Sequence, residues 1–147
     1  MEDYGYVVNV DGAVVRDGEY LFVERGADES HAAGSLAFPG GKLERPPGGE
    51  EAIERAVERE LAEEVGVEVG SVEYVCSRTF EADDGTPCLN VVTLCEHVGG
   101  EAHRGAPEEV AAVRWLTPAS LAERDRAPDY LRRDVERIER FRESRTA

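Results

Sequence analysis

The stretch ERELAEEVG, Glu58 to Gly66, places four carboxylates and one arginine within nine residues of a segment that otherwise has the pattern of a helix. At about 100° per residue, Glu60 and Glu64 share a face with Ile53, Ala56 and Val57. Glu63 borders that face, and Glu54, Glu58 and Ala62 point the other way. A solvated acidic face accounts for Glu58. It does not account for Glu60 and Glu64, because carboxylates three or four residues apart repel one another and burial adds a desolvation cost to each. Something positive has to compensate. Oxygen donors with no histidine or cysteine beside them suit a hard divalent cation, Mg²⁺ or Mn²⁺. Arg59, next to Glu63, can orient or screen a carboxylate, or make a surface ion pair.

Just upstream, PGGK (Pro39 to Lys42) supplies flexible backbone. Glycines let a carbonyl or amide approach a metal or a phosphate closely, although Gly-Gly is also ordinary turn chemistry. It is not a Walker A loop, since no glycine stands five residues before Gly41 and Lys42 is followed by leucine.

The elements that must carry these residues can be outlined from the pattern. YVVNV (Tyr6 to Val10), AVV (Ala13 to Val15) and YLFVER (Tyr20 to Arg25) read as strands, with turns expected at Asp11-Gly12 and Asp17-Gly18. A loop covers Gly26 to Ser35. LAFPGGKLE is a short strand entering a turn, which RPPGGE extends. A helix over Glu51 to Val65 is stopped by Gly66. Val72 to Phe80 and Cys88 to Val98 read as strands around Asp84-Gly85, and Val110 to Leu116 as another. Thr117-Pro118 opens a helix. A last helix carries Leu131, Val135, Ile138 and Phe141. This order suggests an α/β sandwich with a mixed sheet and helices on both faces.

The 147 residues suit one domain, 1–147. A net charge of −15 argues against binding a nucleic-acid duplex or an anionic membrane, both of which need basic patches. No apolar run is long enough to span a bilayer, and the N-terminus lacks a secretory pattern, so a cytoplasmic protein is expected. Cys76, Cys88 and Cys95 read as buried thiols rather than a disulfide or zinc set. His31, His97 and His103 have no metal-ligand spacing.

On these residues the sequence resembles a Nudix hydrolase. The family pattern is a glycine, five residues, a glutamate, seven residues, then Arg-Glu-aliphatic-x-Glu-Glu-x-Gly-aliphatic. Glu51, seven residues and RELAEEVGV (Arg59 to Val67) match it without substitution, and FPGGKLE is the usual lead-in. One departure is an insertion around Pro46 to Gly49, which puts nine residues between Gly41 and Glu51 where the pattern has five. A loop absorbs such an insertion at small entropic cost. It leaves the role of Glu51 and the shape of that rim open.

The resemblance implies a Nudix-type α/β/α sandwich. It also implies a metal site of Glu60, Glu63, Glu64 and the Gly40 carbonyl, with Arg59 orienting Glu60. A downstream acid often completes such sites; Glu109 is preferred to Glu108. The implied reaction is hydrolysis of a nucleoside diphosphate linked to another group. FPGGKLE leans toward nucleoside triphosphates, oxidised ones included, with ADP-ribose or a nucleotide sugar as the alternative. A non-catalytic nucleotide-binding domain is the competing class. Tyr4, Tyr6, Phe80 or Arg78 could stack on a base, or be ordinary strand residues. A homodimer is a reasonable prior.

Overall fold

In a computed structural model, which describes residues 3–26, 34–45 and 49–146, Val7–Arg16 form one uninterrupted strand, β1. The turn expected at Asp11-Gly12 is not there. Two features explain the continuity. Gly12 faces the first helix, where an added Cβ would lie 3.0 Å from Leu61 Cδ1 and 3.1 Å from Val57 Cγ1. The glycine therefore serves close helix packing and not chain reversal. Asp11 faces the opposite side, and its main-chain carbonyl accepts a 2.7 Å bond from Thr93 Oγ1. Asp17-Gly18 does reverse the chain, with φ of 52° and 80°, the paired positive values that a two-residue hairpin needs.

The remaining elements are β2 (Glu19–Arg25), β3 (Leu36–Ala37), β4 (Gly40–Lys42), α1 (Ala52–Val65), β5 (Glu68–Glu81), β6 (Pro87–Gly99), β7 (Val110–Leu116), α2 (Pro118–Ala122) and α3 (Asp129–Thr146). The sheet order is β3-β2-β1-β6-β5, with β4 on β1 and β7 on β2. β1 and β6 run parallel from Val7 against Cys88 to Val15 against Glu96, and every other pair is antiparallel. β2 meets β1 only at Val15 and Arg16, then diverges toward β7. β4 takes the vacated edge at Asn9 to Asp11. That divergence brings the Gly40-Gly41 segment to the middle of the sheet.

Two apolar layers lie on either side. Ala56, Val57, Leu61 and Val65 of α1 pack with Val10, Val14, Leu21, Val91 and Cys95. Leu131, Val135 and Ile138 of α3 pack with Ala13, Tyr20, Phe22, Val92 and Leu94. Each large side chain buried this way contributes about 1.5–3 kcal/mol. The Tyr20 hydroxyl donates to Glu139, and Arg142 donates to that hydroxyl at 3.1 Å, fastening α3 to the sheet. The architecture is the α/β/α sandwich expected.

Local signals hold where they depend on one residue. Gly66 ends α1 with φ 71°, and Thr117 Oγ1 accepts from the Ser120 N–H at 3.1 Å as the cap of α2. Glu51 stands before α1, not within it, with φ 56° and no side-chain cap bond. All three cysteines are buried and free. His31, Pro46 to Gly48 and most of the loop before β3 lie outside the described residues. Among the described residues no helix is long and apolar enough to cross a membrane.

Candidate active site

α1 lies under β4, so its inward stripe decides what faces the glycines. Leu61 and Val65 are fully buried, while Glu60 and Glu64, at the end of the same stripe, are half-buried and Glu63 is exposed. The two glycines admit this packing. A Cβ on Gly40 would lie 2.1 Å from the Val10 carbonyl oxygen, and one on Gly41 only 2.6 Å from the Glu60 carboxyl carbon. At Gly40 the obstacle is backbone, so no side chain fits as the backbone stands, whereas at Gly41 it is the movable end of Glu60.

Hydrogen bonds set the carboxylates. Arg59 Nη2 donates to Glu60 Oε1 at 3.3 Å, and Arg59 Nη1 is 4.0 Å from Glu44. Arg59 thus engages Glu60 and not the adjacent Glu63. The Gly40 N–H faces the Glu64 carboxylate and favours its charged form, the weakest of the influences on it. Glu109 comes from the turn before β7, where its carbonyl accepts from the Gly26 N–H at 2.9 Å. Arg104 Nε donates to the Val110 carbonyl at 2.9 Å. The same loop closes the end of α1, with His103 N–H on the Val65 carbonyl and Gly105 N–H on that of Glu64, at 2.9 and 2.8 Å. The loop bearing Glu109 and the helix bearing Glu64 are therefore tied together.

The electrostatic consequence is conflict. Burial pushes the Glu64 carboxyl up to about 8, helped by the charges of Glu109 and Glu60 and opposed by Arg25 and the Gly40 N–H. Glu60 is also raised, first by burial and then by Glu63 and Glu44, against the pull of Arg59.

A NUDIX domain model matches residues 5–135. The chain belongs to the Nudix family. As such it is a pyrophosphohydrolase, an enzyme that cleaves phosphoric anhydrides in nucleoside diphosphate derivatives. It is similar to the MutT NUDIX hydrolase of Burkholderia pseudomallei (26% identity, 92% of this chain and 99% of that one, TM-score 0.77). It is also similar to the E. coli ORF135 protein (28%, 100% and 98%, TM-score 0.73). The NUDIX domain of Shewanella oneidensis NrtR, solved with ADP ribose, shares the fold at 21% identity, 93% and 88% coverage and TM-score 0.71. No curated protein matches the chain.

Nudix hydrolases generally use divalent cations, and the donor set here fits one. It consists of hard oxygens, two of them on half-buried carboxylates that oppose each other's ionisation, beside a glycine backbone kept open for close approach. Among the described residues no three acidic, imidazole or thiol groups are already gathered closely enough to enclose an ion. The set is a neighbourhood of charge rather than a finished coordination shell.

This arrangement makes the Nudix enzyme's stability depend on pH in a defined direction. Between the ordinary carboxyl value of 4.5 and about 8, folded protein holds a proton on Glu64 that unfolded chain has released. Without metal, stability must therefore fall as pH rises through that window. Asp11, raised to about 6 by burial, adds in the same direction. Saturating Mg²⁺ should raise the melting temperature more at about pH 8 than at about pH 5.5, because only the ionised site binds it. An equal shift at both pH values in calorimetry would contradict the assignment.

A second expectation concerns Gly41. In Gly41→Ala the new methyl must displace the end of the Glu60 side chain, a movable group, so the melting temperature should change little while turnover falls about tenfold or more. Unchanged turnover would show that the position of Glu60 is not critical.

Sequence reasoning passed over several residues near the site. Arg25, exposed at the end of β2, acts on Glu64, Asp11 and Tyr130 and lines a cavity of about 670 Å³ with Ser35, Ala127 and Pro128. Asp11, Asn90, Tyr130 and Asp134 form a polar group with Arg78 on the α3 side of the sheet. A polar Asn90 inside the apolar run CLNVVTLC was the available signal.

Proposed function

We propose that this Nudix enzyme hydrolyses nucleoside triphosphates, oxidised ones included, with Mg²⁺ or Mn²⁺ held by Glu60, Glu63, Glu64, Glu109 and the Gly40 carbonyl. The observation that carries the reading is the pair of half-buried glutamates, Glu60 and Glu64, packed against Gly40 and Gly41 with the Glu109 charge on Glu64. A bound divalent cation would neutralise charge on phosphate oxygens and acidify a water.

The chain's own groups do the rest. Glu60, oriented by the guanidinium of Arg59, takes the proton from the attacking water or fixes its direction. Glu63, exposed at the rim, adds charge that moves with the others. Arg25 is an exposed cation beside these carboxylates, and a polyphosphate gives it an anion to meet. In a chain of such acidity, that local cation and the metal are what reverse the field for an anionic substrate.

The test is a panel of nucleoside triphosphates, oxidised triphosphates, ADP-ribose and sugar nucleotides with Mg²⁺ or Mn²⁺, with products separated by chromatography. Pyrophosphate and a nucleoside monophosphate from a triphosphate is the expected result. Turnover of ADP-ribose or a sugar nucleotide alone would move the enzyme to that branch, and metal binding without turnover of any substrate would make it a nucleotide-binding domain.

A further inference from the structure

On the α3 side of β1, Asp11 is the residue the sequence pattern assigns to a turn and the structure places within the sheet. Its carboxylate is held in one orientation. Oδ2 accepts from Asn90 Nδ2 at 2.9 Å, and its own carbonyl is fixed by Thr93 Oγ1. Both partners are buried, at 5% and 1% exposure. Oδ1 is different. It lies 3.0 Å from where a Cβ on Gly40 would stand, beside the glycine segment of the active site. Among the described residues no donor is hydrogen-bonded to it. Asp11 itself keeps partial exposure.

The surroundings explain why this oxygen stays free. Arg78, a cation whose charge bears on Asp11, is committed elsewhere: its Nη1 donates to both carboxylate oxygens of Asp134, at 2.8 and 2.7 Å. Its guanidinium lies 4.5 Å over the Tyr130 ring. That contact, with the Asp134 pair, holds the guanidinium in place beside Asp11's side of the sheet. The charge of Arg25 acts on both Asp11 and Glu64, and the two-residue glycine segment of β4 meets Asp11 at Gly40 and Glu60 at Gly41, so the acceptor and the α1 carboxylates flank the same short stretch of backbone.

We propose that Asp11, positioned by Asn90, selects the substrate by accepting a hydrogen bond from an amino group on its nucleobase. The inference rests on the reading that the substrate is a nucleotide whose phosphates lie at the α1 carboxylates. An ionised carboxylate only accepts. An amino-bearing base satisfies Oδ1, whereas an oxo group there sets oxygen against oxygen and leaves the carboxylate unpaired. A site built around one such bond discriminates strongly against the analogue lacking it.

Three comparisons test the amino group: dGTP against dITP, which removes it alone, and dATP against dITP and dCTP against dUTP, which exchange it for an oxo group and put a proton on the neighbouring ring nitrogen. In the wild-type enzyme kcat/KM should favour the amino-bearing member of at least one pair by about tenfold or more. Asp11→Asn, whose amide can turn either a donor or an acceptor outward, should reduce that ratio to about threefold or less. A fold effect alone would lower both members together and leave the ratio intact. Equal rates within all three pairs in the wild type, or a ratio that survives Asp11→Asn, would overturn the proposal. Calorimetric binding of the corresponding monophosphates separates this inference from the reaction assignment. If no triphosphate is hydrolysed, an amino preference in binding that Asp11→Asn removes still supports the role of Asp11, and no preference overturns it.

Discussion

Glu60→Gln is expected to fold as the wild-type enzyme does and to lose about 10²-fold or more of its turnover. The fold is insensitive because the glutamate is not part of the apolar layer: Leu61 and Val65 carry that, and the amide fits the space above Gly41 that the carboxylate occupies. An amide also relieves a carboxyl that burial and Glu63 already oppose. Turnover is sensitive because the amide cannot take a proton and is a weaker oxygen donor to a cation. The measurement is kcat at saturating substrate and Mg²⁺, with the melting temperature recorded on the same sample. Near wild-type kcat would remove Glu60 from the chemistry, while a fall in kcat with a collapsed melting curve would mean that the residue is structural.

The parts of this site legible in the sequence are those set by short-range geometry. Helical arithmetic separates Glu58, exposed in the structure, from Glu60 and Glu64, which lie on the inward stripe. Gly66 and Thr117 mark helix ends because each acts through its own backbone or its own hydroxyl. Asp11-Gly12 fails for the opposite reason. Its dipeptide carries a turn signal, but the outcome is decided by Leu61 and Val57, some fifty residues away, which need a glycine beneath them. Strand pairing along β6 then holds Asp11 extended. The same long-range dependence hides the partner of Arg59 from helical arithmetic, and only the family resemblance implied Glu60. On the helix it adjoins Glu63 and Glu60 alike, and only the fold, by placing Glu60 against Gly41, turns the guanidinium to Glu60.

Two sides of one sheet thus divide the work along a physical line. The α1 side gathers carboxylates that oppose each other's ionisation. On the α3 side, Arg78 and Asp134 satisfy one another, and among the described residues no donor is hydrogen-bonded to Asp11 Oδ1. The glycine segment of β4 separates the two, close to Glu60 on one face and to Asp11 on the other. If the α1 carboxylates carry the chemistry and Asp11 the recognition, as proposed, the two can be altered independently, which is what makes Gly41→Ala and Asp11→Asn separate tests.

Glu64→Gln should separate stability from function in the opposite direction to most site mutations. In metal-free wild-type enzyme the Glu64 proton is lost near pH 8, where Glu109 and Glu60 then act on a half-buried charge. The amide removes that conflict while keeping an oxygen to face the Gly40 N–H, so the metal-free variant should melt higher than wild type at about pH 8. At about pH 5.5, near the lower end of the window, where the folded wild-type carboxyl is still neutral and only the unfolded chain has released its proton, the difference should be much smaller. Mg²⁺ should then stabilise the variant far less than it stabilises the wild type, and turnover should fall by about 10²-fold, since the group that costs the empty protein most is the one the cation uses. Paired melting curves at the two pH values, with and without Mg²⁺, give all four comparisons. A variant less stable than wild type at the higher pH would show that the Glu64 carboxylate is a favourable structural partner, and the electrostatic account of this helix would fail with it.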